Sequence, residues 1–126
     1  MYSAEVKDLD FERLRKSETF PQPTGYKLLV AMPTLEEKTE GGVFIPDAMK
    51  EAESTASVVG FVVSMGESAY EDVDKFPHGA YCREGDWVIF RSYSGTRFKI
   101  ENAEFRLIND DTVEAVVLDP RGVKRV

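Results

Sequence analysis

From Tyr26 onward the chain is a series of short apolar runs set between turn formers, and this restricts it to a small all-β fold. Tyr26 to Met32 is apolar and compatible with a strand. Ser57 to Met65, SVVGFVVSM, is a second run, rich in Val, in which Gly60 is expected to mark a bulge or bend. Asp86 to Arg91, Arg97 to Ile100, Glu104 to Ile108 and Val113 to Leu118 complete the set, and EFRLI alternates polar and apolar residues. Tyr93-Ser94-Gly95-Thr96 and Asn109-Asp110-Asp111-Thr112 have the composition of tight turns. Short strands with mostly turn-sized gaps predict a small antiparallel β-barrel over residues 25–119. The stretch from Gly66 to Gly85 is longer, polar and rich in turn formers, and is expected to project from the barrel.

One connection breaks the pattern. Between the first two runs lies TLEEKTEGGVFIPDAMKEAEST, mostly charged, small or turn-forming. Loops of this length without structure of their own are uncommon, and are usually functional or disordered. In its middle stands Gly41-Gly42-Val43-Phe44-Ile45-Pro46, three large apolar side chains with no evident core to receive them. Such an island suits the apolar groove of another protein; the competing reading is a short strand packed on the barrel itself. The polar residues over 35–55 predict a mobile loop, since they cannot offset the entropy of ordering.

Residues 1–24 are expected to be an extension: an amphipathic helix over 3–17, with Ser3 as its cap, then a proline-containing extended arm. Residues 120–126 form a short tail. With 126 residues the chain fits one domain, large enough for a core without metals or disulfides. Its formal net charge of −7 opposes nucleic-acid binding, which needs clustered Lys and Arg, and an anionic membrane surface. No apolar run reaches the length of a membrane span, and the charged first residues do not read as a signal peptide. The single cysteine, Cys82, excludes an internal disulfide and fits a reducing, cytoplasmic setting.

Catalytic patterns are missing. His78 and Cys82 have no zinc-type spacing and no third group to make a nucleophile pair. Glu71-Asp72-Val73-Asp74 lacks the glycine and terminal glutamate of a calcium loop. Gly41-Gly42 and Gly95-Thr96 belong to neither phosphate-binding glycine pattern. The aromatic residues fall on predicted strands without the basic neighbours of a base-stacking platform. We expect no enzyme activity, cofactor or metal.

Taken in order, these pieces resemble the co-chaperonins of the GroES type, across roughly Tyr26 to Leu118. YKLLVAMP resembles that family's first strand, TEGGVFIPD its mobile loop, SVVGFVVSMG the returning strand, REGDWVIF its G-D-x-V-x-F strand, and EFRLINDDTVEAVV its closing pair. Residues 1–24, the tail, SYSGTRFKI and the 66–85 stretch, which stands where the family has a roof hairpin, depart from the pattern. Such departures fit a divergent version of the kind phages encode, placed in the host cytoplasm.

The resemblance implies a function. Gly41, Gly42, Val43, Phe44, Ile45 and Pro46 would bind the apical domains of a GroEL-like chaperonin ring in the presence of ATP. A homo-oligomeric ring, a heptamer, would act as the lid of a folding chamber and enclose unfolded client proteins. The family's edge pairing between first and last strands would place Tyr26, Leu28, Val30, Val113, Val116 and Leu118 at the subunit interface. Two other classes compete. One is a decoration barrel of a virus particle, docked by its N-terminal arm. The other is a cupin-type small-molecule barrel, which a single histidine disfavours.

Overall fold

The computed structural model describes residues 2–5, 20–37, 58–100, 103–123 and 126. Eight strands occur among them: β1 (Tyr2–Glu5), β2 (Lys27–Ala31), β3 (Thr34–Glu37), β4 (Val59–Met65), β5 (Trp87–Ile89), β6 (Thr96–Ile100), β7 (Ala103–Asn109) and β8 (Ala115–Val117). Six of them form one antiparallel sheet in the order β6-β7-β2-β4-β5-β8. Each of the six corresponds to a predicted run. The sheet does not close on itself, because β6 and β8 are its two edges. β1 and β3 pair separately as a two-stranded sheet.

β2 is the pivot. It pairs with β7 on one side, Leu29 opposite Leu107, and with β4 on the other, Ala31 opposite Phe61. Successive side chains of a strand point to opposite faces, and both faces of β2 are covered. Leu28 and Val30 join Met32, Val62, Val88, Phe90 and Ile108 in one core cluster. Leu29 and Ala31 join Phe20, Val63, Ala103 and Phe105 in the other. This explains why KLLVA is uninterruptedly apolar: neither side of it meets water. In the second cluster Phe105 takes Phe20 edge-on at 5.7 Å and stacks with Phe98 at 5.9 Å.

Three sequence expectations need correction. The register between β2 and β4 shifts at Leu29/Val30, where Ser64 and then Val62 are the partners, so the irregularity falls at Val63. Gly60 has a different job: a Cβ there would sit 3.0 Å from the Phe90 ring and 3.1 Å from Val30, so glycine lets those two side chains meet across β4. Ser3 lies in β1, in a strand where a helix start was expected, and the rest of that expected helix, residues 6–17, lies outside the described residues. No α-helix occurs among the described residues. Phe20, placed in the extension by the sequence reading, is a buried core residue.

The alternation of EFRLI is also misleading at one position. Arg106, nominally on the polar face, is 2% exposed. Its guanidinium lies over the Phe90 ring and donates from Nη1 to the carbonyls of Ser92 (2.5 Å) and Ser94 (3.4 Å). Burial, with Arg97 nearby, pushes its pKa below the usual value, and Glu104, 3.7 Å from its Nε, opposes that shift. Arg106 therefore ties the turn before β6 to the core.

Phe105 has no exposed surface and makes ring contacts on both sides. Phe105→Ala should destabilise the fold by about 3–5 kcal/mol, the usual result of emptying an aromatic site. Urea unfolding measures it, and a loss below about 1 kcal/mol would contradict this core assignment.

Candidate partner-binding site

The expected partner-binding residues Gly41, Gly42, Val43, Phe44, Ile45 and Pro46 lie outside the described residues, as does the whole of 38–57. The structure does place the two ends of that segment. β2 and β4 are neighbours and antiparallel, so the chain leaves and re-enters the barrel at the same end of the sheet. Both roots are fixed by backbone hydrogen bonds to other strands. The Met32 N–H donates to the Glu104 carbonyl (2.9 Å), and the Phe90 N–H donates to the Val58 carbonyl (3.0 Å). Met32 and Pro33 are buried. Beyond them β3 continues as far as Glu37 against β1, with Tyr2 opposite Glu37 and Glu5 opposite Thr34. Residues 38–57 connect β3, which follows the Met32–Pro33 anchor, to Val58, which precedes β4.

The residues expected at the subunit interface divide into two groups. Leu28 and Val30 have no exposed surface, and Val113 is 5% exposed; all three belong to the core of their own barrel. Edge pairing through Tyr26–Met32 is also excluded on hydrogen-bonding grounds, because β2 already has a partner strand on each side. Val116 and Leu118 are different. β8 pairs only with β5 among the described strands, Val116 is 45% exposed and Leu118 is 98% exposed. An apolar sheet edge of this kind is a surface proteins normally cover. Tyr26 is half-exposed at the other end of β2, beside Ser68, Lys75 and Phe76.

The 66–85 stretch does not project. It folds back over the end of the barrel and contributes Ala69, Tyr70, Phe76 and Cys82 to the first core cluster. Tyr70 and Phe76 pack edge-on at 4.9 Å, and Tyr81 closes the aromatic group. Asp110 organises this contact from forty residues away. Its Oδ2 accepts from the Tyr70 N–H (3.0 Å), and its backbone carbonyl accepts from the Tyr70 hydroxyl (2.8 Å). Tyr70 holds a φ of 61°, in the left-handed region that a side chain usually avoids. Strain of this sort costs about 1–3 kcal/mol and persists only where neighbours impose it; here the two Asp110 hydrogen bonds and the ring packing do so.

Gly66 makes the fold-back possible. Its N–H donates to the Lys27 carbonyl (2.8 Å), and a Cβ there would lie 2.2 Å from the Gly25 carbonyl oxygen. Only glycine allows the two backbones to approach so closely. Sequence reasoning missed the Tyr70–Asp110 link because Asn109-Asp110-Asp111-Thr112 looks like any solvated turn.

Among the described residues no group of three or more His, Cys, Asp or Glu side chains could hold a metal ion. His78 is exposed and Cys82 is buried. Burial pushes the Cys82 thiol up, partly opposed by its contact with the Tyr70 hydroxyl at 3.4 Å, and burial likewise pushes the Tyr70 phenol well above its usual value. Neither group is activated. Asp72, in the acidic run, caps its own turn by accepting from the N–H groups of Asp74 and Lys75. Among the described residues no helix is long and apolar enough to cross a membrane.

Tyr70→Phe keeps the ring and deletes the bond to the Asp110 carbonyl. It should cost about 1–3 kcal/mol, the penalty for a buried acceptor left without its donor. Chemical denaturation reads this directly, and an unchanged midpoint would show that the anchor is unimportant.

With this geometry in view, relatives are informative. The family described as Chaperonin 10 Kd subunit matches residues 21–117. The Co-chaperonin GroES of Lawsonia intracellularis is 35% identical over 103 residues, which are 82% of this chain and 97% of that protein. The Co-chaperonin GroES of Desulfatibacillum aliphaticivorans is 38% identical over 96 residues, 76% of this chain and 96% of its own length. That of Petrotoga mobilis is 35% identical over 98 residues, 78% of this chain and 97% of that protein.

Proposed function

The chain belongs to the chaperonin 10 kDa subunit family, that of the GroES co-chaperonins, and from this premise we propose that it forms a ring-shaped lid for a GroEL-type chaperonin. The observation that supports the reading is that the sequence between β3 and β4 of this family member carries Gly-Gly-Val-Phe-Ile-Pro, while β2 and β4 themselves are antiparallel neighbours. Val43, Phe44 and Ile45 enter an apolar groove of each apical domain when ATP is bound to the chaperonin. Gly41-Gly42 supplies the turn before them, and Pro46 stiffens the chain after them. The lid encloses client proteins without touching a nucleotide and catalyses no reaction. Its working compartment is the cytoplasm.

Magnitudes explain why a ring is needed. Burying each of the three apolar side chains yields about 1.5–3 kcal/mol. Ordering the backbone around them costs about 1–2 kcal/mol per residue. A single loop is therefore a weak ligand. Seven loops on one heptameric ring bind as a unit, because each engaged loop raises the effective concentration of the next. Weak units also release together, as a cycling lid requires. The exposed β8 edge, with Val116 and Leu118, is the surface we assign to contact with the neighbouring subunit.

Phe44→Asp should abolish capture by a GroEL-type chaperonin with ATP while the ring keeps its mass in native mass spectrometry. Unimpaired binding would remove the loop from the mechanism. Binding indifferent to nucleotide and chaperonin would favour a decoration module instead. Leu118→Arg should shift the same spectra from ring toward monomer with the barrel still folded by circular dichroism. A fully assembled Leu118→Arg ring would show that β8 is not the contact.

A further inference from the structure

We infer that the N-terminal strand β1 is a built-in clamp on the root of the partner-binding loop, setting how strongly that loop binds. The inference rests on the lid reading above and adds to it a regulatory role for residues that lie outside the family match. β1 lies outside the family-matched region, which begins at residue 21, whereas β3 lies inside it. The family match therefore takes in β3 and all six strands of the main sheet but not β1.

What β1 pairs with gives it meaning. It ignores both edges of the main sheet and aligns antiparallel with Thr34–Glu37, in the register Tyr2–Glu37, Ser3–Glu36, Ala4–Leu35 and Glu5–Thr34. Those four residues come directly after Pro33, which is buried, and directly before the 38–57 segment. β1 also lies beside the short 3-10 turn Pro120–Gly122, which follows the exposed β8 edge. One added strand therefore touches the loop root and the end of the chain near the proposed subunit contact.

The consequence is entropic. A strand pair fixes the backbone of the root before any partner arrives. Without β1 the root must be ordered during binding, and ordering even one residue lowers an equilibrium constant about five- to thirty-fold. A two-stranded pair is only marginally stable by itself, so small changes in β1 move the balance. That makes β1 a tuner of loop affinity, acting equally in each subunit.

The test compares three proteins: the intact chain, a chain lacking residues 1–19, and Ser3→Pro/Ala4→Pro. The truncation stops short of Phe20 because that residue is core. The double proline variant changes only the ladder, since proline cannot donate a backbone hydrogen bond. Amide hydrogen exchange reads Leu35, Glu36 and Glu37 without any partner present. Titration onto a GroEL-type ring with ATP reads affinity. We expect exchange at these amides to speed up tenfold or more in both altered chains, with at least threefold weaker binding. Unchanged exchange overturns the pairing, and faster exchange with equal or tighter binding overturns the clamp. Failure of the intact chain to bind at all would instead overturn the lid reading, and the clamp with it.

Discussion

Everything in this barrel is referred to β2, a five-residue strand with a partner on each side and a core cluster on each face. Its ladders set the positions of β4 and β7. Its alternate side chains seed both clusters, one with Leu28 and Val30 and the other with Leu29 and Ala31. Because β4 is its direct neighbour, the connection between them must leave and return at one end of the sheet. That connection therefore has its origin in a strand buried on both faces. Rigid support under a variable segment is the common arrangement for recognition loops.

The same constraint decides which surfaces remain for partners. β2 cannot pair with another subunit, since its backbone groups are already satisfied. The open edges are β6 and β8, and the apolar exposure at Val116 in β8 and Leu118 just after it is of the kind that assembly removes. At the opposite side of the first cluster, Tyr70 and Phe76 are drawn into the core by Asp110. The 66–85 segment is thereby a folded cover with ordinary anchoring. It carries no activated thiol, phenol or metal cluster among the described residues.

Much of this was legible in the sequence, for physical reasons that can be named. All six strands of the main sheet announced themselves, because a strand buried on one or both faces must be an apolar or alternating run. The family resemblance followed from their order and gaps. What was not legible depended on contacts between distant residues. Arg106 reads as an outward residue in an alternating strand, yet Ser92 and Ser94 turn their carbonyls toward it. Asp110 reads as part of a solvated turn, yet Tyr70 closes over it across forty residues. That Leu28 and Val30 are core residues of a central strand was not legible either, because local pattern cannot tell an edge strand from a central one. β1 was missed for a related reason: the alternation of Tyr2–Glu5 covers only four residues, too short to stand out beside the helical spacing of Val6, Leu9 and Leu14, and its partner Thr34–Glu37 is about thirty residues away.

The central claim is that three adjacent apolar residues on a rooted loop find their dry environment in a second protein. Hydrogen exchange of the assembled ring, followed peptide by peptide before and after adding a GroEL-type chaperonin with ATP, tests it most directly. The account predicts that protection rises sharply over Val43–Ile45 on addition and stays constant in β2, β4 and β7. Equal exchange at Val43–Ile45 in both states would contradict it.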